Sequence, residues 1–216
     1  MAKKIYLSPS DQYNNKYANG VHNEGEVCHR ISGACEIYLK KYGFDVLRGK
    51  TGTYVERCKQ ANKYNPDLYI CIHTNAGGGD GTLMMCWPGN ENNAIIKKIY
   101  NAVAKISPGK DDGIKARTDL YEIKNSAALC AYLEIAFHDD VREAQWLNEH
   151  SSEIGRAIAK AVADYYGYKI PEEDEGENVS RETLYKVQVG AFLKKSNAEK
   201  LAAELAKKGY NTYITT

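Results

Sequence analysis

Apolar and polar residues follow two rhythms along the first 168 residues of the chain. Short apolar runs predict strands at residues 4–7, 44–47, 67–72, 82–87, 120–123 and 129–136. Apolar residues at helical spacing predict helices at residues 24–42, 54–64 and 91–106, and a last helix that begins after Ser151 or Ser152. Because strands and helices alternate, the sequence predicts an α/β fold with a mostly parallel, twisted sheet and helices on both faces.

The pattern changes after residue 168, and the chain is expected to divide into three parts. Residues 1–168 form the main domain. Residues 169–183 include an acidic stretch without apolar residues at 171–177, which is typical of a solvated linker. Residues 184–216 form the third part, and a chain of 216 residues is long enough for one domain and a small appendage.

The third part has the pattern of a small β-α-β unit. Strands are predicted at residues 185–190 and 210–214. Between them, Ser196 and Glu199 form a capping box that begins a helix ending at Lys208. Such a unit has 33 residues, which is below the roughly 40 residues at which a domain usually becomes stable alone.

The bulk composition excludes two kinds of partner. A net charge of +1 leaves no basic footprint for a nucleic acid. No apolar run approaches the roughly 18–20 residues that cross a bilayer, so membrane insertion is not expected. The basic start at Lys3 and Lys4 is not followed by the apolar stretch of a secretory signal. We therefore expect synthesis in the cytoplasm and delivery to any outside target by another protein.

The six cysteines include no C-x-x-C pair, so the strong signal of a zinc ribbon is absent. Most of them lie inside apolar runs, such as residues 69–72, 84–87 and 129–131. This placement favours buried free thiols over disulfides, which agrees with a reducing cytoplasm.

Three ionisable residues stand out by their position. His73 follows the buried strand at 67–72, although a structural histidine with satisfied hydrogen bonds would fit the same place. Glu134 lies within the apolar strand at 129–136, where a carboxylate is costly to bury unless it is paired or binds a metal. Glu24 begins the first helix, where a carboxylate also complements the helix dipole. Sites in parallel α/β folds lie at the carboxyl ends of the strands.

Together these residues resemble the pattern of the zinc-dependent N-acetylmuramoyl-L-alanine amidases of the Amidase_3 type, which include phage and prophage endolysins and sporulation amidases. The resemblance covers about residues 3–167 and rests on the segments Ile5-Tyr6-Leu7-Ser8-Pro9, Asn23-Glu24, Arg57 with Ala61-Asn62, Ile72-His73-Thr74-Asn75-Ala76 and Leu133-Glu134-Ile135-Ala136-Phe137. It implies one zinc ion per chain, with Glu24 and His73 as ligands and Glu134 as the catalytic carboxylate.

One position departs from the family pattern. The family carries a histidine ligand in the loop after the first strand, where this chain has Asp11. A catalytic zinc takes three protein ligands, so a replacement is needed, and the alternatives are Asp11, His22 and His138. We prefer His138, because imidazole is the better zinc ligand and a strand that continues past Glu134 would place both residues on one face. If His138 does not bind zinc, its role would be a contact with the substrate or with one of the residues that bind zinc.

The resemblance implies hydrolysis of the amide bond between N-acetylmuramic acid and L-alanine in bacterial peptidoglycan. Zinc would activate a water molecule, and Glu134 would carry the proton of this water to the leaving nitrogen. Asn75 and the glycine-rich loop at 77–81 are candidates for lining the substrate groove. The expected role is that of an endolysin or autolysin, which acts on the cell wall after release. The alternative is a wall-binding module that has lost its zinc.

The third part resembles the first half of a SPOR domain, a family that binds the glycan strands of peptidoglycan. The resemblance rests on Tyr185-Lys186-Val187-Gln188-Val189-Gly190-Ala191-Phe192, the capped helix and Gly209-Tyr210. Half of a β-α-β-β-α-β fold would leave its strand edges exposed. Either the unit is truncated, or two chains pair their halves around a two-fold axis and form a homodimer.

Overall fold

The structure is a computed structural model in which residues 2–172, 189–207 and 214 are described. The chain divides into two compact units, Met1–Glu177 and Asn178–Thr216. The strands described in the first unit are β1 (Lys4–Pro9), β2 (Asp45–Arg48), β3 (Leu68–Asn75), β4 (Leu83–Cys86), β5 (Gly113–Ala116) and β6 (Cys130–Phe137). Its helices are α1 (Glu24–Lys41), α2 (Tyr54–Tyr64), α3 (Ala94–Ala104), α4 (Tyr121–Asn125), α5 (Val141–Glu149) and α6 (Ser151–Tyr166).

The strands form a single six-stranded sheet with the order β2-β1-β3-β6-β4-β5. β1 pairs in parallel with both β2 and β3, and β3 pairs in parallel with β6. β4 runs antiparallel to β6 and parallel to β5. The predicted mostly parallel sheet is therefore confirmed, with one antiparallel junction that reverses its last two strands.

Side chains alternate between the two faces of the sheet along each strand. On β1, Ile5 and Leu7 belong to the apolar cluster of the first face, to which α1, α3 and α6 contribute. Tyr6 belongs to the cluster of the second face, which is completed by Ala61 of α2 and Ile123 of α4. Both faces are covered by helices, as the sequence predicts.

Capping residues fix the first turns of the two helices that carry site residues. Asn23 caps α1 and accepts a hydrogen bond from a backbone N–H of the first turn at 3.0 Å. Thr53 and Glu56 form a capping box at the start of α2. Glu24 directly follows the cap Asn23, and Arg57 directly follows Glu56 of the capping box, so the local sequence fixes the backbone position of both residues.

A close contact between α1 and α6 depends on Gly155. A Cβ atom at this position would lie 2.6 Å from the carbonyl oxygen of Ile31 and 2.7 Å from the Cβ atom of Ala34. Glycine is unfavourable inside a helix, and here it permits the two backbones to approach. The contact holds α1, and with it Glu24, against the body of the domain.

The segment at 120–123, predicted as a strand, begins helix α4 instead. Leu120 is its N-cap, and Ile123 packs into the second-face cluster. Two apolar residues three positions apart also fit one helical turn, so a run this short does not separate the two structures. The strand at this edge of the sheet is β5, whose half-buried and exposed residues give no apolar run. α5, which Asp140 caps, is a further element that the pattern does not predict.

In the second unit, helix α7 (Lys195–Lys207) confirms the predicted helix. Residues 173–188, 208–213 and 215–216 lie outside the described residues, and they hold most of the predicted linker and both predicted strands. The pairing of two half-units therefore stays a prediction. No helix in the described ranges is long and apolar enough to cross a membrane.

All six cysteines are buried free thiols, as predicted. The Sγ atoms of Cys71 and Cys130, on neighbouring strands, lie 3.7 Å apart. Burial raises the pKa of the Cys58 thiol to about 11, which keeps this thiol neutral and unreactive.

Candidate active site

The carboxyl halves of β3 and β6 carry the first two candidate residues. His73 and Glu134 are direct register partners across this parallel pair of strands. By the alternation along each strand, His73 follows Cys71 and Glu134 follows Tyr132 on the second face. An apolar strip of the second face therefore ends in a row of ionisable side chains, and the structure brings together two residues that the sequence singled out separately.

Glu24 reaches the same place from the first residue of α1. Its side chain is 1% exposed, and its Oε1 atom lies 3.1 Å from Nδ1 of His73. The side-chain amides of Gln12 and Asn15 donate to Oε1 and Oε2 of Glu24 at 3.2 and 2.8 Å. The loop that precedes α1 thus closes over this carboxylate.

The charges of His73 and Glu24 stabilise one another. Burial works to lower the pKa of His73, but the carboxylates of Glu122 and Glu24 raise this pKa to about 10. Burial works to raise the pKa of Glu24, and the contact with His73 outweighs it and leaves this pKa below its usual value. The ring of Tyr132 stacks on His73 with 4.5 Å between the centroids. Tyr132 therefore restricts the ring plane of His73, and the two carboxylates favour its charged form.

Glu134 has a different environment from Glu24. Its side chain is partly exposed, but its Oε2 atom is buried and has no hydrogen-bond partner. Burial raises the pKa of Glu134 to about 7, against the charge of His73, which lowers it. A carboxylate with a pKa near neutrality can both accept and release a proton at physiological pH. Glu24 is therefore charged at neutral pH, whereas Glu134 can exchange a proton.

A third buried carboxylate, that of Glu122 on α4, is absent from the residues predicted for the site. Its side chain is 3% exposed, and its Oε2 atom lies 3.9 Å from Nε2 of His73. Its Oε1 atom accepts hydrogen bonds from the hydroxyls of Ser8 and Tyr69, each at 2.5 Å. His73 therefore lies between two buried glutamates, one on each side of its ring.

The signal for Glu122 is present in the sequence. A carboxylate within an apolar segment is the feature that singled out Glu134, and Glu122 lies within the segment at 120–123, which has the same character. Arg57, which belongs to the family pattern, is a buried cation that is linked to Glu122 through the hydroxyl of Ser8. It is 1% exposed, and its Nε atom donates to Ser8 Oγ at 3.0 Å.

His138, the preferred third metal ligand, is not on the same strand as Glu134. β6 ends at Phe137, and the register between β3 and β6 shifts between His73 and Asn75. The alternation that would place His138 beside Glu134 therefore stops one residue too early. This bulge is a property of the pairing, which the sequence of one strand does not show.

The ring of His138 has partners of its own. Its Nδ1 atom lies 3.0 Å from Oγ1 and 3.2 Å from the carbonyl oxygen of Thr74. The ring stacks on Tyr17 with 5.4 Å between the centroids. Across residues 2–172, 189–207 and 214, no three residues of the types His, Cys, Asp and Glu converge to hold a metal ion. The expected ligand set of Glu24, His73 and His138 is therefore not assembled.

The other two alternatives are engaged in ion pairs. Asp11 lies at the aligned loop position, and its Oδ1 atom is 3.5 Å from Nη2 of Arg57. His22 lies in the same loop, and its Nδ1 atom is 3.3 Å from Oε2 of the exposed Glu26. Neither residue completes a metal-binding group with Glu24.

The contact between Glu24 and His73 still fits two positions of a zinc site. Two donors on a tetrahedral zinc, with bonds of about 2.0–2.1 Å, lie about 3.3 Å apart. In the structure, Oε1 of Glu24 and Nδ1 of His73 lie 3.1 Å apart. Both atoms are of the types that zinc prefers. The residues present thus supply two of the three protein ligands that the family pattern implies.

Asn75 ends β3 at the edge of the site. Its Oδ1 atom accepts a hydrogen bond from the backbone N–H of Ala76 at 2.9 Å. Its carbonyl oxygen accepts from the N–H of His138 at 2.8 Å. The amide is thus turned to its own backbone, and a substrate contact by Asn75 stays a prediction.

Two carboxylates anchor the glycine-rich loop that follows β3. Oδ2 of Asp139 accepts from the backbone N–H groups of Gly77 and Gly78 at 2.7 and 3.0 Å. Oε1 of Glu143 accepts from the N–H of Gly81 at 2.9 Å. The loop is therefore a fixed wall beside the site.

Glu143 offers a test of this wall. It is 0% exposed and also accepts the backbone N–H of Phe137 at 2.6 Å. Glu143→Ala leaves buried N–H groups unpaired, so the free energy of unfolding is expected to fall by about 2–4 kcal/mol. Urea denaturation measures this loss, and Glu149→Ala, an exposed glutamate on the same helix, is the matched control. Equal stabilities of the two variants would contradict the anchoring role.

Comparison with known proteins identifies the class. Residues 10–164 match the N-acetylmuramoyl-L-alanine amidase family, Amidase_3. This match spans more than half of the chain, and the chain therefore belongs to that family. The protein is an enzyme of the peptidoglycan amidase class, as the resemblance implied. Residues 182–216 match the SPOR domain.

Individual relatives agree with this assignment. The sporulation-specific N-acetylmuramoyl-L-alanine amidase of Bacillus subtilis (strain 168) is 28% identical over 222 residues, which cover 98% of this chain and 84% of that protein. The N-acetylmuramoyl-L-alanine amidase CwlM of Bacillus licheniformis has the same identity and coverage.

Solved structures share the fold. Cwp6 from Clostridium difficile superposes with a TM-score of 0.69 at 24% identity, over 76% of this chain and 29% of Cwp6. The catalytic domain of the amidase CwlV from Bacillus (Paenibacillus) polymyxa var. colistinus superposes with a TM-score of 0.67 at 17% identity, over 77% of this chain and 99% of that domain. The predicted α/β class is confirmed.

Proposed function

We propose that the protein hydrolyses the amide bond between N-acetylmuramic acid and L-alanine in bacterial peptidoglycan, with one zinc ion per chain. The observation that carries the proposal is the buried contact of Glu24 with His73, beside a Glu134 whose Oε2 atom has no partner. We further propose the role of an endolysin or autolysin, which reaches the cell wall after release.

Glu24 and His73 are the residues that would hold the zinc. When bound, a zinc ion polarises the scissile carbonyl and lowers the pKa of a water ligand to about 7. The loop from Gly77 to Gly81 follows the end of β3, and Gln12 and Asn15 of the loop before α1 contact Glu24. These two loops would orient a substrate that enters along the ends of the strands.

Glu134 is the residue that moves the proton. Its pKa of about 7 suits a group that first accepts a proton from the attacking water and then donates it to the leaving amine nitrogen of L-alanine. His73, the register partner of Glu134 on the neighbouring strand, would be neutral when it binds zinc.

The third ligand is proposed to come from Gln12. Its Nε2 atom lies 3.2 Å from the same Glu24 Oε1 atom that faces His73. Its Oε1 atom accepts a hydrogen bond from Nδ2 of Asn15 at 2.9 Å, and a half-turn of the Gln12 amide on zinc binding would turn this oxygen toward Glu24. Gln12 Oε1 would then be a donor beside Glu24 Oε1, the atom that also faces His73 Nδ1. Gln12 lies one residue after Asp11, the position at which the family has its loop histidine.

Gln12→His tests this placement by restoring an imidazole. Because nitrogen ligands bind zinc more tightly than amide oxygens, the dissociation constant for zinc is expected to fall by at least about tenfold, equal to about 1.4 kcal/mol. Competition with a chelating dye measures this constant. Asn14→His puts the same side chain on an exposed position of the same loop, and equal affinities of the two variants would place the third ligand elsewhere.

The reaction itself is tested with purified sacculi and the full chain. Mass spectrometry is expected to find stem peptides with a free L-alanine amine and glycan strands that are intact but bare. New reducing sugar ends would indicate a glycosidase, and new amino termini within the stem peptide would indicate a peptidase. Either product without free L-alanine termini contradicts the proposed reaction.

A further inference from the structure

Glu122 is a buried charge that the proposed reaction does not use. Its Oε1 atom accepts the hydroxyls of Ser8 and Tyr69 at 2.5 Å each. The site therefore contains a buried carboxylate that two hydroxyl groups hold through one of its oxygen atoms.

The orientation of Glu122 is fixed from behind. Ser8 donates to Glu122 and accepts from Nε of the buried Arg57 at 3.0 Å. Arg57 in turn donates through Nη1 to the carbonyl oxygen of Gly52 at 2.6 Å. Since both hydroxyl contacts fall on Oε1, the Oε2 atom of Glu122 is left to face the ring of His73.

The ring of His73 has one satisfied and one unsatisfied nitrogen. Nδ1 contacts Glu24 at 3.1 Å, whereas Nε2 is buried without a hydrogen-bond partner. Oε2 of Glu122 lies 3.9 Å from Nε2, so a shift of about 1 Å would form a hydrogen bond of ordinary length. An unpaired buried N–H is costly, and the ring of Tyr132 stacks on the imidazole at an interplanar angle of 21°.

We propose that Glu122 is a positioning residue, which accepts the Nε2–H of His73 and thereby directs Nδ1 of the ring toward Glu24 and the zinc. The inference rests on the proposed function and deepens it. Histidine ligands of metals commonly donate their second N–H to a carboxylate, and loss of this partner lowers metal affinity by about 10–100-fold. The network from Arg57 through Ser8 to Glu122 would then set the direction of a zinc ligand on a different strand.

The test compares Glu122→Gln with Tyr69→Phe in the full chain. Both changes are nearly isosteric and remove one polar contact of the same buried group, but only the first alters the atom that faces His73. Glu122→Gln is expected to weaken zinc binding by about 10–100-fold, and Tyr69→Phe by less than about threefold. Competition with a chelating dye reports the affinities, and thermal unfolding reports the stability of each variant.

A spectroscopic readout separates positioning from general damage. Long-range ¹H–¹⁵N spectra of the zinc-loaded wild type are expected to show the His73 proton on Nε2 and the metal on Nδ1. In metal-free protein, a slowly exchanging Nε2 proton of His73 is expected in the wild type and in Tyr69→Phe, and is expected to be lost in Glu122→Gln.

Three results would overturn the positioning role. They are metal on Nε2 in the wild type, equal weakening of zinc binding by both variants, and an unchanged Nε2 proton in Glu122→Gln. The wild-type spectrum decides the matter even if Glu122→Gln does not fold. A wild type that binds no zinc would contradict the proposed function, and the metal-free spectra would still test the contact of Glu122 with His73.

Discussion

Glu134→Gln is expected to lower the kcat of amide hydrolysis by about 10³-fold and to leave the zinc content of the chain unchanged. The amide has the shape of the carboxylate but cannot accept the proton of the attacking water. Glu134 also lies outside the contact between Glu24 and His73, so its loss removes no metal donor. The variant separates the proton-moving group from the metal-holding groups.

The measurement is the rate at which free L-alanine termini appear in purified sacculi, at saturating substrate, with zinc determined on the same samples. Glu26→Gln is the control, because Glu26 is exposed and lies in the first turn of α1 next to the site. A fall of less than about tenfold would remove Glu134 from the proton transfer, since such transfer typically contributes about 10²–10⁴-fold. A parallel loss of zinc would make it a ligand instead.

His73→Gln is expected to abolish both stoichiometric zinc binding and hydrolysis. The change removes Nδ1, one of the two donors whose spacing fits zinc. A ligand that binds only the folded state stabilises it by about 2.7 kcal/mol at a concentration of 100 times Kd. Zinc should therefore raise the melting temperature of the wild type, and it should leave that of His73→Gln unchanged.

Two other histidines provide matched controls for this variant. His138→Gln and His22→Gln are expected to keep bound zinc, because the ring of His138 is engaged with Thr74 and Tyr17, and His22 pairs with Glu26. If His138→Gln loses zinc as completely as His73→Gln, the result would support the prediction of His138 as the third ligand and would exclude Gln12.

Most of the fold was predictable because its central strands are long apolar runs and its helices have clear apolar stripes. The segments that escaped prediction are the edge strand β5 and the short helices α4 and α5. β5 has only half-buried and exposed residues, so no periodicity marks it. α4 is a single turn whose Leu120 and Ile123 fit a strand equally well.

The site was predictable where one residue carries its own signal. Glu134 is a carboxylate in an apolar strand, and His73 follows a buried one, so each is unusual without reference to any partner. Glu24 has no such signal, since a helix N-terminus accommodates any carboxylate, and only the family resemblance selected it. Glu122 carried the same signal as Glu134, but an interpretation of residues 120–123 as a strand gave its side chain no defined neighbour.

The position of His138 was not predictable from one strand. Its placement depends on where β6 stops pairing with β3 and on the register shift between His73 and Asn75. These are properties of two chain segments that are far apart in sequence. The alternation rule, applied to β6 alone, assumes that the strand continues past Phe137. It therefore assigns His138 to the face of Glu134, although the strand has already ended.

Metal analysis of the purified full chain is the most direct test of a zinc-dependent amidase. The protein is expressed without added chelator, dialysed against metal-free buffer, and measured for zinc and for release of L-alanine termini before and after treatment with a chelator. We expect one zinc ion per chain, loss of hydrolysis on chelation, and recovery on addition of zinc. A chain that contains no stoichiometric zinc, or that hydrolyses sacculi at its full rate after the metal is removed, would contradict the proposal.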